Sequence, residues 1–439
     1  MSLTRWLNEF WETNKEDETE SRIPFGVVFM IVFGLFVLRK PHALGAPQFW
    51  GEDALVFFKQ QFELGFFQAA VTTYAGYLHI APRIVAGIAA LFPISWAPFL
   101  YNLASLSIGA VACAWFSRKE YRWIVPDDRL RLLSCAIFAC APTGWEIVGT
   151  ATNLQWYLLW LGYLLLIGPA PQNGKGRLVF VLGWAMIALT SPGAVCLAPF
   201  WLVRFFVRRE KGERLLSLGC AALPLLMLGS LQSSAMGAVT ESDAAFWLVI
   251  NGVRKLFAWR VAAETLVGED SLPFAKDMGD WLAYLSVAVV LGAVTVNAIY
   301  GQVRLRVWLV LSLVFVFVYL SVSILGRPQQ VVMVSLYKME WGGGRYFFVP
   351  VCVVAALFFA ALSALPGRWK LAAMLVIALV VLAGLRQFHT PPYEDLGWPK
   401  QAAAIEWALD EKKSTTIEFR VNPPEWERNP VRVRVISDQ

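Results

Sequence analysis

Long apolar runs recur along the whole chain, and short polar or basic segments separate them. A helix needs roughly 20 apolar residues to cross the hydrocarbon layer of a bilayer, and most of the runs approach that length. We therefore predict an all-α polytopic membrane protein with about eleven transmembrane helices. The predicted spans cover residues 24 to 38, 94 to 116, 132 to 150, 153 to 169, 178 to 191, 193 to 207, 215 to 232, 282 to 300, 307 to 325, 346 to 365 and 371 to 386.

The composition of the chain supports a membrane protein. Hydrophobic residues make up 57% of the 439 residues and charged residues 16%, which is more apolar surface than one water-soluble core can bury. We expect the surplus to face lipid. Residues 24–386 are predicted to form one transmembrane domain, between an N-terminal segment of residues 1–23 and a small C-terminal domain of residues 387–439.

Lysine and arginine collect in the short connections after every second predicted span. Because short cytoplasmic loops carry an excess of these residues, the distribution predicts a cytoplasmic N-terminus and a C-terminus outside. Arg39 and Lys40, at the outer end of the first span, are exceptions, and we expect them to snorkel or to contact a phosphate. The basic residues of the inner connections are Arg118, Lys119, Arg122, Arg129, Arg131, Lys175, Arg177, Arg204, Arg208, Arg209, Lys211, Arg214, Arg304, Arg306, Arg368 and Lys370.

The N-terminal segment carries Leu3, Trp6, Leu7, Phe10 and Trp11 at helical spacing. This pattern predicts a short amphipathic helix in the cytoplasmic interface of the membrane. A partly disordered tail is the alternative interpretation.

The extramembrane sequence is concentrated on the predicted outer side. It comprises residues 39–93, 233–281, 326–345 and the C-terminal domain. In the first of these loops we expect interrupted helices that lie along the membrane surface. In the C-terminal domain a helical pattern over 400–409 precedes two segments of alternating polarity, 416–421 and 431–435, so a small α/β fold is predicted.

Two adjacent carboxylates, Glu52 and Asp53, begin the first predicted surface helix. One interpretation is an N-cap with an acidic neighbour, because a helix N-terminus stabilises an ionised carboxylate. The other is a catalytic base, with one carboxylate facing a cavity and the other capping the helix or binding a cation.

An aromatic and basic cluster follows in the same loop. It contains Tyr74, Tyr77, His79 and Arg83, which could orient a sugar or a lipid head group. A band of aromatic residues at the membrane interface also explains the tyrosines without any function.

Three glycines at 342–344 precede Arg345 and Tyr346 at the start of a predicted span. Glycines let the backbone approach a ligand closely, and an arginine at this depth suits a phosphate. A flexible hinge with an anchoring arginine is the alternative.

A tight outer turn between the third and fourth predicted spans holds Asn153, Gln155 and Trp156. Glu146, the acidic residue inside a predicted span, lies beside it. Amides and an indole could form a platform for a sugar, or they could be helix-packing contacts. Because the spans carry almost no charge, an ion-coupled transporter is a poor match.

The order of these features along the chain resembles that of the C-type (GT-C) membrane glycosyltransferases. The order is one span, an outer loop that contains Glu-Asp, Tyr-Ala-Gly-Tyr-Leu-His and Pro-Arg, further spans, the Gly-Arg-Tyr segment and a small outer tail. The chain is most similar to bacterial members that use a polyprenyl-phosphate-linked sugar, such as O-antigen glucosyltransferases. The resemblance implies that Asp53 or Glu52 is the base, and we favour Asp53. It also implies that Arg345 binds the carrier phosphate. Further candidates for that role are Tyr346, Lys338, His79 and Arg83.

The resemblance also implies the partners and the location. It predicts an inverting transfer from a lipid-linked sugar to a glycan or lipid-linked acceptor, outside the bacterial cytoplasmic (inner) membrane, with no nucleic acid involved. Asp-x-Asp in the first loop and Trp-Trp-Asp in the tail are missing, so we expect no metal cofactor, with a divalent metal left open. A lipid-linked glycan polymerase or ligase and a transporter or flippase are the alternative functions.

Overall fold

The computed structural model describes residues 3–12, 21–230, 242–277, 279–327, 331, 343–412, 414–425, 428 and 430–435. These residues are mainly helical. The helices of nine residues or more are α1 (Leu3–Trp11), α2 (Phe25–Arg39), α3 (Lys59–Val71), α4 (Ile80–Ala89), α5 (Ala97–Ala114), α6 (Asp128–Ala139), α7 (Leu154–Ile167), α8 (Gly174–Thr190), α9 (Ala198–Val207), α10 (Lys211–Ser230), α11 (Ser242–Leu256), α12 (Trp281–Tyr300), α13 (Val303–Gly326), α14 (Phe348–Ala364), α15 (Lys370–Arg386) and α16 (Trp398–Asp410). Two strands, β1 (Thr415–Phe419) and β2 (Val431–Val435), pair antiparallel.

Several of these helices are membrane-spanning in length and composition. The described residues contain five such stretches, Ile94–Ser117, Trp281–Tyr300, Val303–Gly326, Gly344–Ala364 and Gly367–Arg386. A sixth crossing is added if α8 and the segment Pro192–Val207 are counted together as one span. The chain bends by 118° at the break between them. The chain is therefore a membrane-embedded helical protein, as predicted, whereas eleven crossings are not shown. The helices at two further predicted spans, α2 and α7, are apolar but only 15 and 14 residues long.

The predicted span 132–150 is wrong as a continuous helix. Helix α6 ends at Ala139, and a separate turn, Pro142–Gly144, follows it. Proline lacks the backbone N–H that would continue the helix. Glu146 consequently lies in an irregular turn that leads to α7, and not on a transmembrane helix.

Helix α14 lies at the centre of the bundle. In its span, 89% of the residues are buried, against 22% for the span of α15 and 28% for that of α12. It packs against α6, α7, α12 and α15. The peripheral helices expose leucines such as Leu291 and Leu382, and continuous apolar surface of this kind is stable when lipid is the solvent.

Helix α1 packs against one end of the bundle, which we call the α1 end. Phe10 and Trp11 are buried between α9 and α13. The Trp11 indole donates to the Leu166 carbonyl (2.9 Å), and the Arg304 guanidinium donates to the Phe10 carbonyl (2.9 Å). The structure thus has a helix where one was predicted, and its residues Phe10 and Trp11 contact protein.

A buried ion pair lies beside α1. Arg204 Nη2 and Glu213 Oε1 are 2.7 Å apart, and their side chains are 0% and 1% exposed. Arg208 contacts the second oxygen of Glu213 at 2.7 Å. Arg204 also donates to the carbonyls of Leu166 and Gly168. These contacts join the end of α7 to the connection between α9 and α10.

The C-terminal segment packs against the opposite end, which we call the tail end. The backbone of Asn422 bonds to that of Phe49 and Gly51 at 3.1 and 2.8 Å. The Trp398 ring packs edge-on against Phe49 (4.8 Å between centroids) and Phe419 (5.5 Å). The strand predicted at 431–435 is confirmed by β2, and the helix predicted over 400–409 lies within α16.

The buried ion pair gives a test of the packing at the α1 end. Glu213→Gln removes the charge that neutralises two arginines, so we expect the free energy of unfolding to fall by about 3 kcal/mol. The measurement is denaturant-induced unfolding of the purified protein in detergent. Glu210→Gln is the matched control, because Glu210 pairs with Arg177 where both side chains are exposed, and its loss should cost less than about 1 kcal/mol. Equal losses in the two variants would contradict the buried pair.

Candidate active site at the tail end

Asp53 fastens the first loop to the rest of the bundle. It begins a π-helical turn, Asp53–Phe58, that leads into α3, and its side chain is fully buried. Its carboxylate oxygens accept hydrogen bonds from the backbone N–H groups of Ala151 (3.0 Å) and Thr152 (2.7 Å). Burial raises the pKa of Asp53 to about 7, although these two N–H groups and Lys40 favour the ionised carboxylate.

Glu52 is the more accessible of the two adjacent carboxylates. It is partly exposed, and its side chain makes no N-cap hydrogen bond. In the described part of the chain it has no ion-pair partner. Its charge acts on Arg345, Tyr74 and Tyr393. The side chain of Glu52 therefore does not act as an N-cap of the helix.

Arg345 is paired with Glu146. A guanidinium nitrogen of Arg345 bonds to Glu146 Oε1, and the two side chains are 26% and 6% exposed. The guanidinium also lies over the Tyr346 ring, 5.5 Å from its centroid. Arg345, the residue predicted to bind a phosphate, is thus held by a carboxylate, and the charge of Glu52 also acts on it.

Two of the three glycines before Arg345 have specific structural roles. Gly343 adopts a φ of 87°, a conformation that side chains disfavour. A Cβ on Gly344 would lie 3.1 Å from Glu269 Oε1 and 3.4 Å from Arg260 Nη2. Glycine therefore lets the backbone approach a second ion pair, and Gly342 is outside the described residues.

Arg260 and its two carboxylates were missed by the sequence reasoning. Arg260 Nη2 lies 2.7 Å from Glu269 Oε1, and its Nε lies 3.2 Å from Glu264 Oε2. Arg260 is 2% exposed, and the charge of Glu146 also acts on it. The available signal was Arg260 and Glu264, four residues apart in an otherwise apolar stretch. We call Glu52, Glu146, Arg260, Glu269 and Arg345 the rim cluster.

The predicted sugar platform lies next to Arg345. The Trp156 ring contacts the Tyr346 ring edge-on at 4.9 Å. Gln155 Oε1 accepts a hydrogen bond from the Tyr77 hydroxyl (2.8 Å). The Asn153 amide donates to the Glu146 carbonyl (3.1 Å) and stabilises the turn. Asn153 is thus a packing residue here, and Trp156 packs against Tyr346.

Arg83 holds the aromatic loop in place. Its guanidinium donates to the carbonyls of Leu78 (2.7 Å) and Thr72 (2.5 Å) and to the Gln60 amide oxygen (2.9 Å). The side chain is 1% exposed. All three guanidinium nitrogens of Arg83, a candidate phosphate ligand, therefore already donate hydrogen bonds within the protein.

His79 is buried inside this loop. Its ring stacks on Tyr77 at 3.7 Å between centroids and contacts the ring of Tyr74. Its φ of 54° is left-handed, which strains a residue with a side chain. Burial and the Arg83 charge lower the pKa of His79 to about 3, although the nearby Tyr74 backbone favours protonation. A neutral imidazole is a poor partner for a phosphate.

Lys40 and Tyr393 form a further pair that sequence reasoning did not find. Lys40 Nζ donates to the Val148 carbonyl (2.8 Å) and to the Tyr393 hydroxyl (2.5 Å), and the side chain is 1% exposed. Burial lowers the pKa of Lys40 to about 7, while the charge of Asp53 raises it. Lys40 is an exception to the expectation that lysine and arginine collect on the cytoplasmic side. No pattern in the sequence predicts its contact with Tyr393 of the C-terminal segment.

The predicted site residues fall into two groups. Contacts link Arg345 to Glu146 and Tyr346 and link Tyr346 to Trp156, and the charge of Glu52 acts on Arg345. Asp53, Asn153 and Arg83 instead hold the surrounding backbone. The aromatic loop connects with them through Tyr77 and Gln155. Lys338 lies outside the described residues. Among the described residues, no group of three His, Cys, Asp or Glu side chains could hold a metal ion.

The fold and this site define a membrane-embedded helical protein with an acidic and basic cluster at one end of the bundle. A scan against protein-family models and searches of curated proteins and of solved structures find no match for the chain.

The role of Asp53 as a backbone acceptor can be tested by stability. Asp53→Asn replaces one carboxylate oxygen with an amide that cannot accept a hydrogen bond, so we expect a loss of about 2 kcal/mol in the free energy of unfolding. Glu52→Gln is the control and should change stability by less than about 0.5 kcal/mol. Thermal and denaturant unfolding in detergent measure both. A stable Asp53→Asn variant would show that the two bonds do not hold the loop.

Proposed function

We propose that this chain is an inverting glycosyltransferase of the GT-C type. It moves a sugar from a polyprenyl-phosphate-linked donor to a glycan or lipid-linked acceptor on the outer side of a bacterial cytoplasmic membrane. In this proposal the N-terminus is cytoplasmic, the tail end faces outwards, and shorter helices such as α2 and α7 add to the crossings. The basic residues of the inner connections support this orientation.

The observation that carries the proposal is the electrostatic interaction between the carboxylate of Glu52 and the guanidinium of Arg345. A partly exposed carboxylate and a partly exposed guanidinium lie close enough to interact electrostatically. Sugar transfer from a lipid phosphate needs these two groups, because a proton leaves the acceptor hydroxyl while negative charge develops on the departing phosphate.

Glu52 is the base in this mechanism, and Asp53 positions it. Both oxygens of Asp53 already accept backbone hydrogen bonds inside the protein, which leaves the accessible carboxylate of Glu52 for the proton. The acceptor oxygen forms a bond to the anomeric carbon as the bond from that carbon to the phosphate oxygen breaks. The electron pair leaves with the phosphate, and a single displacement inverts the anomeric configuration.

Arg345 receives the departing phosphate. A guanidinium can bind phosphate oxygens through two parallel hydrogen bonds, and Glu146 fixes its orientation from one side. A lipid monophosphate carries less charge than a nucleotide diphosphate, so an arginine is sufficient without a metal ion. The Tyr346 ring lies under the guanidinium and packs against the Trp156 ring, which supports the position of Arg345.

The assignment of the base is tested by comparing two amide variants in membranes supplied with a polyprenyl-phosphate sugar and an acceptor extract. Glu52→Gln removes the proton acceptor with little change of shape, so transfer should fall by about 100-fold or more with normal stability. Asp53→Asn should lose stability first and keep more of its transfer rate per folded molecule. Normal transfer by Glu52→Gln would remove Glu52 from the mechanism.

The role of Arg345 is tested by substitution with alanine and with lysine. Arg345→Ala should reduce kcat/KM for the lipid donor by an amount equivalent to about 2 to 4 kcal/mol. Arg345→Lys should restore part of this, because a point charge does not reproduce a two-pronged contact.

Arg345→Ala also leaves Glu146 buried without its partner, which requires a control. The double variant Arg345→Ala/Glu146→Gln should recover stability, because no unpaired charge remains, and should not recover transfer. Recovery of transfer in the double variant would assign Arg345 a purely structural role.

A further inference from the structure

The segment that carries Glu146 is irregular backbone inside a helical bundle. Helix α6 ends at Ala139, and the next α-helix, α7, begins at Leu154. Buried N–H and C=O groups of such a segment need hydrogen-bond partners that a continuous helix would have supplied. The side chains that provide these partners therefore determine where Glu146 lies.

Arg39 binds the start of this segment. Its Nη1 donates to the Ala139 carbonyl (2.6 Å) and its Nη2 to the Ala141 carbonyl (2.9 Å). The side chain is 1% exposed, so it lies inside the bundle and does not snorkel to the interface as expected. The two carbonyls stand at the end of α6, where the helix dipole favours a cation. The planar fork of arginine reaches both of them, which a single ammonium group does not.

Gly144 lets the Arg39 guanidinium lie against the turn. A Cβ on Gly144 would be 2.9 Å from Arg39 Nη1, so any side chain there would displace the guanidinium. The Gly144 N–H donates to the Ala141 carbonyl (2.9 Å), the same carbonyl that Arg39 binds. Arg39 thus holds the backbone up to two residues before Glu146.

Lys40 holds the backbone on the other side of Glu146. Its Nζ donates to the Val148 carbonyl (2.8 Å), and its side chain is 1% exposed. Two adjacent residues at the end of α2 therefore bind the turn at Ala141 and at Val148. The backbone of Glu146 lies between these two points.

We propose that Arg39 is a positioning residue that acts through the Glu146 turn on Arg345 of the rim cluster. Glu146 Oε1 bonds to the Arg345 guanidinium, and the Glu146 side chain is 6% exposed, so a displaced turn withdraws the partner of Arg345. Among the described residues Arg39 has no ion-pair partner, and its hydrogen bonds go to the turn instead. A consequence for sugar transfer rests on the proposed function, whereas the link between Arg39 and Arg345 does not.

The experiment measures how fast phenylglyoxal, a reagent for arginine, modifies Arg345 in the full chain in detergent, with mass spectrometry of the peptides. Arg39→Met removes both bonds to the turn, so Arg345 should be modified about tenfold faster, because charged hydrogen bonds that hold its partner are lost. Amide exchange within residues 142–150 should accelerate as well. Faster exchange with an unchanged Arg345 would reduce Arg39 to a structural residue and overturn the proposal.

A second variant separates the position of Arg39 from its charge. Gly144→Ala keeps the charge and displaces the guanidinium, so the modification of Arg345 should again accelerate. This variant also replaces Arg39→Met in the test if the methionine variant does not fold. Unchanged modification of Arg345 in Gly144→Ala would reject a role that depends on the position of the guanidinium.

Arg131→Met is the matched control for a general loss of stability. Arg131 lies at the opposite end of α6, is 0% exposed and donates to the Val125 carbonyl (2.7 Å). It also pairs with Asp128, so its loss should destabilise the fold at least as much. We expect the modification of Arg345 to stay unchanged in this variant. Equal acceleration in Arg131→Met and Arg39→Met would reject the positioning role.

The positioning role and the proposed function can fail separately. If Arg345 binds the phosphate of a lipid substrate, farnesyl phosphate should slow its modification in the unchanged protein. Absence of this protection would remove Arg345 as a phosphate ligand and keep the link to Arg39. Protection by farnesyl phosphate, with normal reactivity of Arg345 in Arg39→Met, would keep the phosphate site and reject the link.

Discussion

The two hydrogen bonds from Ala151 and Thr152 to Asp53 determine the geometry of the tail end. They join the start of the first loop to the turn before α7, which are about 100 residues apart in sequence. This junction also brings the two other carboxylates of the site into the same region. Glu52 directly precedes Asp53 in the sequence, and Glu146 lies in the turn that Asp53 binds. An ionised group is costly in a membrane protein interior unless it is satisfied, and here the backbone N–H groups satisfy it. A buried carboxylate with a supporting role thereby places an accessible carboxylate beside Arg345.

Two arginines lie near the Gly343–Gly344 turn, and each of them is paired with carboxylates. Arg345 pairs with Glu146, and Arg260 pairs with Glu264 and Glu269. Burial raises the pKa of Glu264 well above its usual range, although the charge of Arg260 lowers it. Pairing with arginine therefore offsets part of the cost of burying this carboxylate.

Much of the fold could be predicted from the sequence, because lipid exposure and helical spacing leave strong local patterns. The long apolar helices, the amphipathic α1 and the strand Val431–Val435 follow from such patterns. The number of crossings did not follow, since hydrophobic length does not tell a straight span from one interrupted by Pro142 or bent at Ser191–Pro192. For the site, Glu52, Glu146, Arg345 and Trp156 were recognised as candidates. The ion pair between Glu146 and Arg345 was not predicted, because it depends on contacts between segments that are distant along the chain. Arg260 was not recognised as a site residue for the same reason.

The C-terminal segment is part of the site and not an appended unit. Tyr393 supplies the hydroxyl that accepts from Lys40 and a ring face 3.9 Å from the ammonium group. The ring also stacks on Trp50, two residues before Glu52. A lysine with 1% exposure needs such partners, because hydration is not available to it. Lys40 in turn acts on Asp53, whose carboxylate holds the first loop. Docking of the tail therefore provides partners for Lys40, and the charge of Lys40 adds to the two backbone hydrogen bonds that favour the ionised form of Asp53.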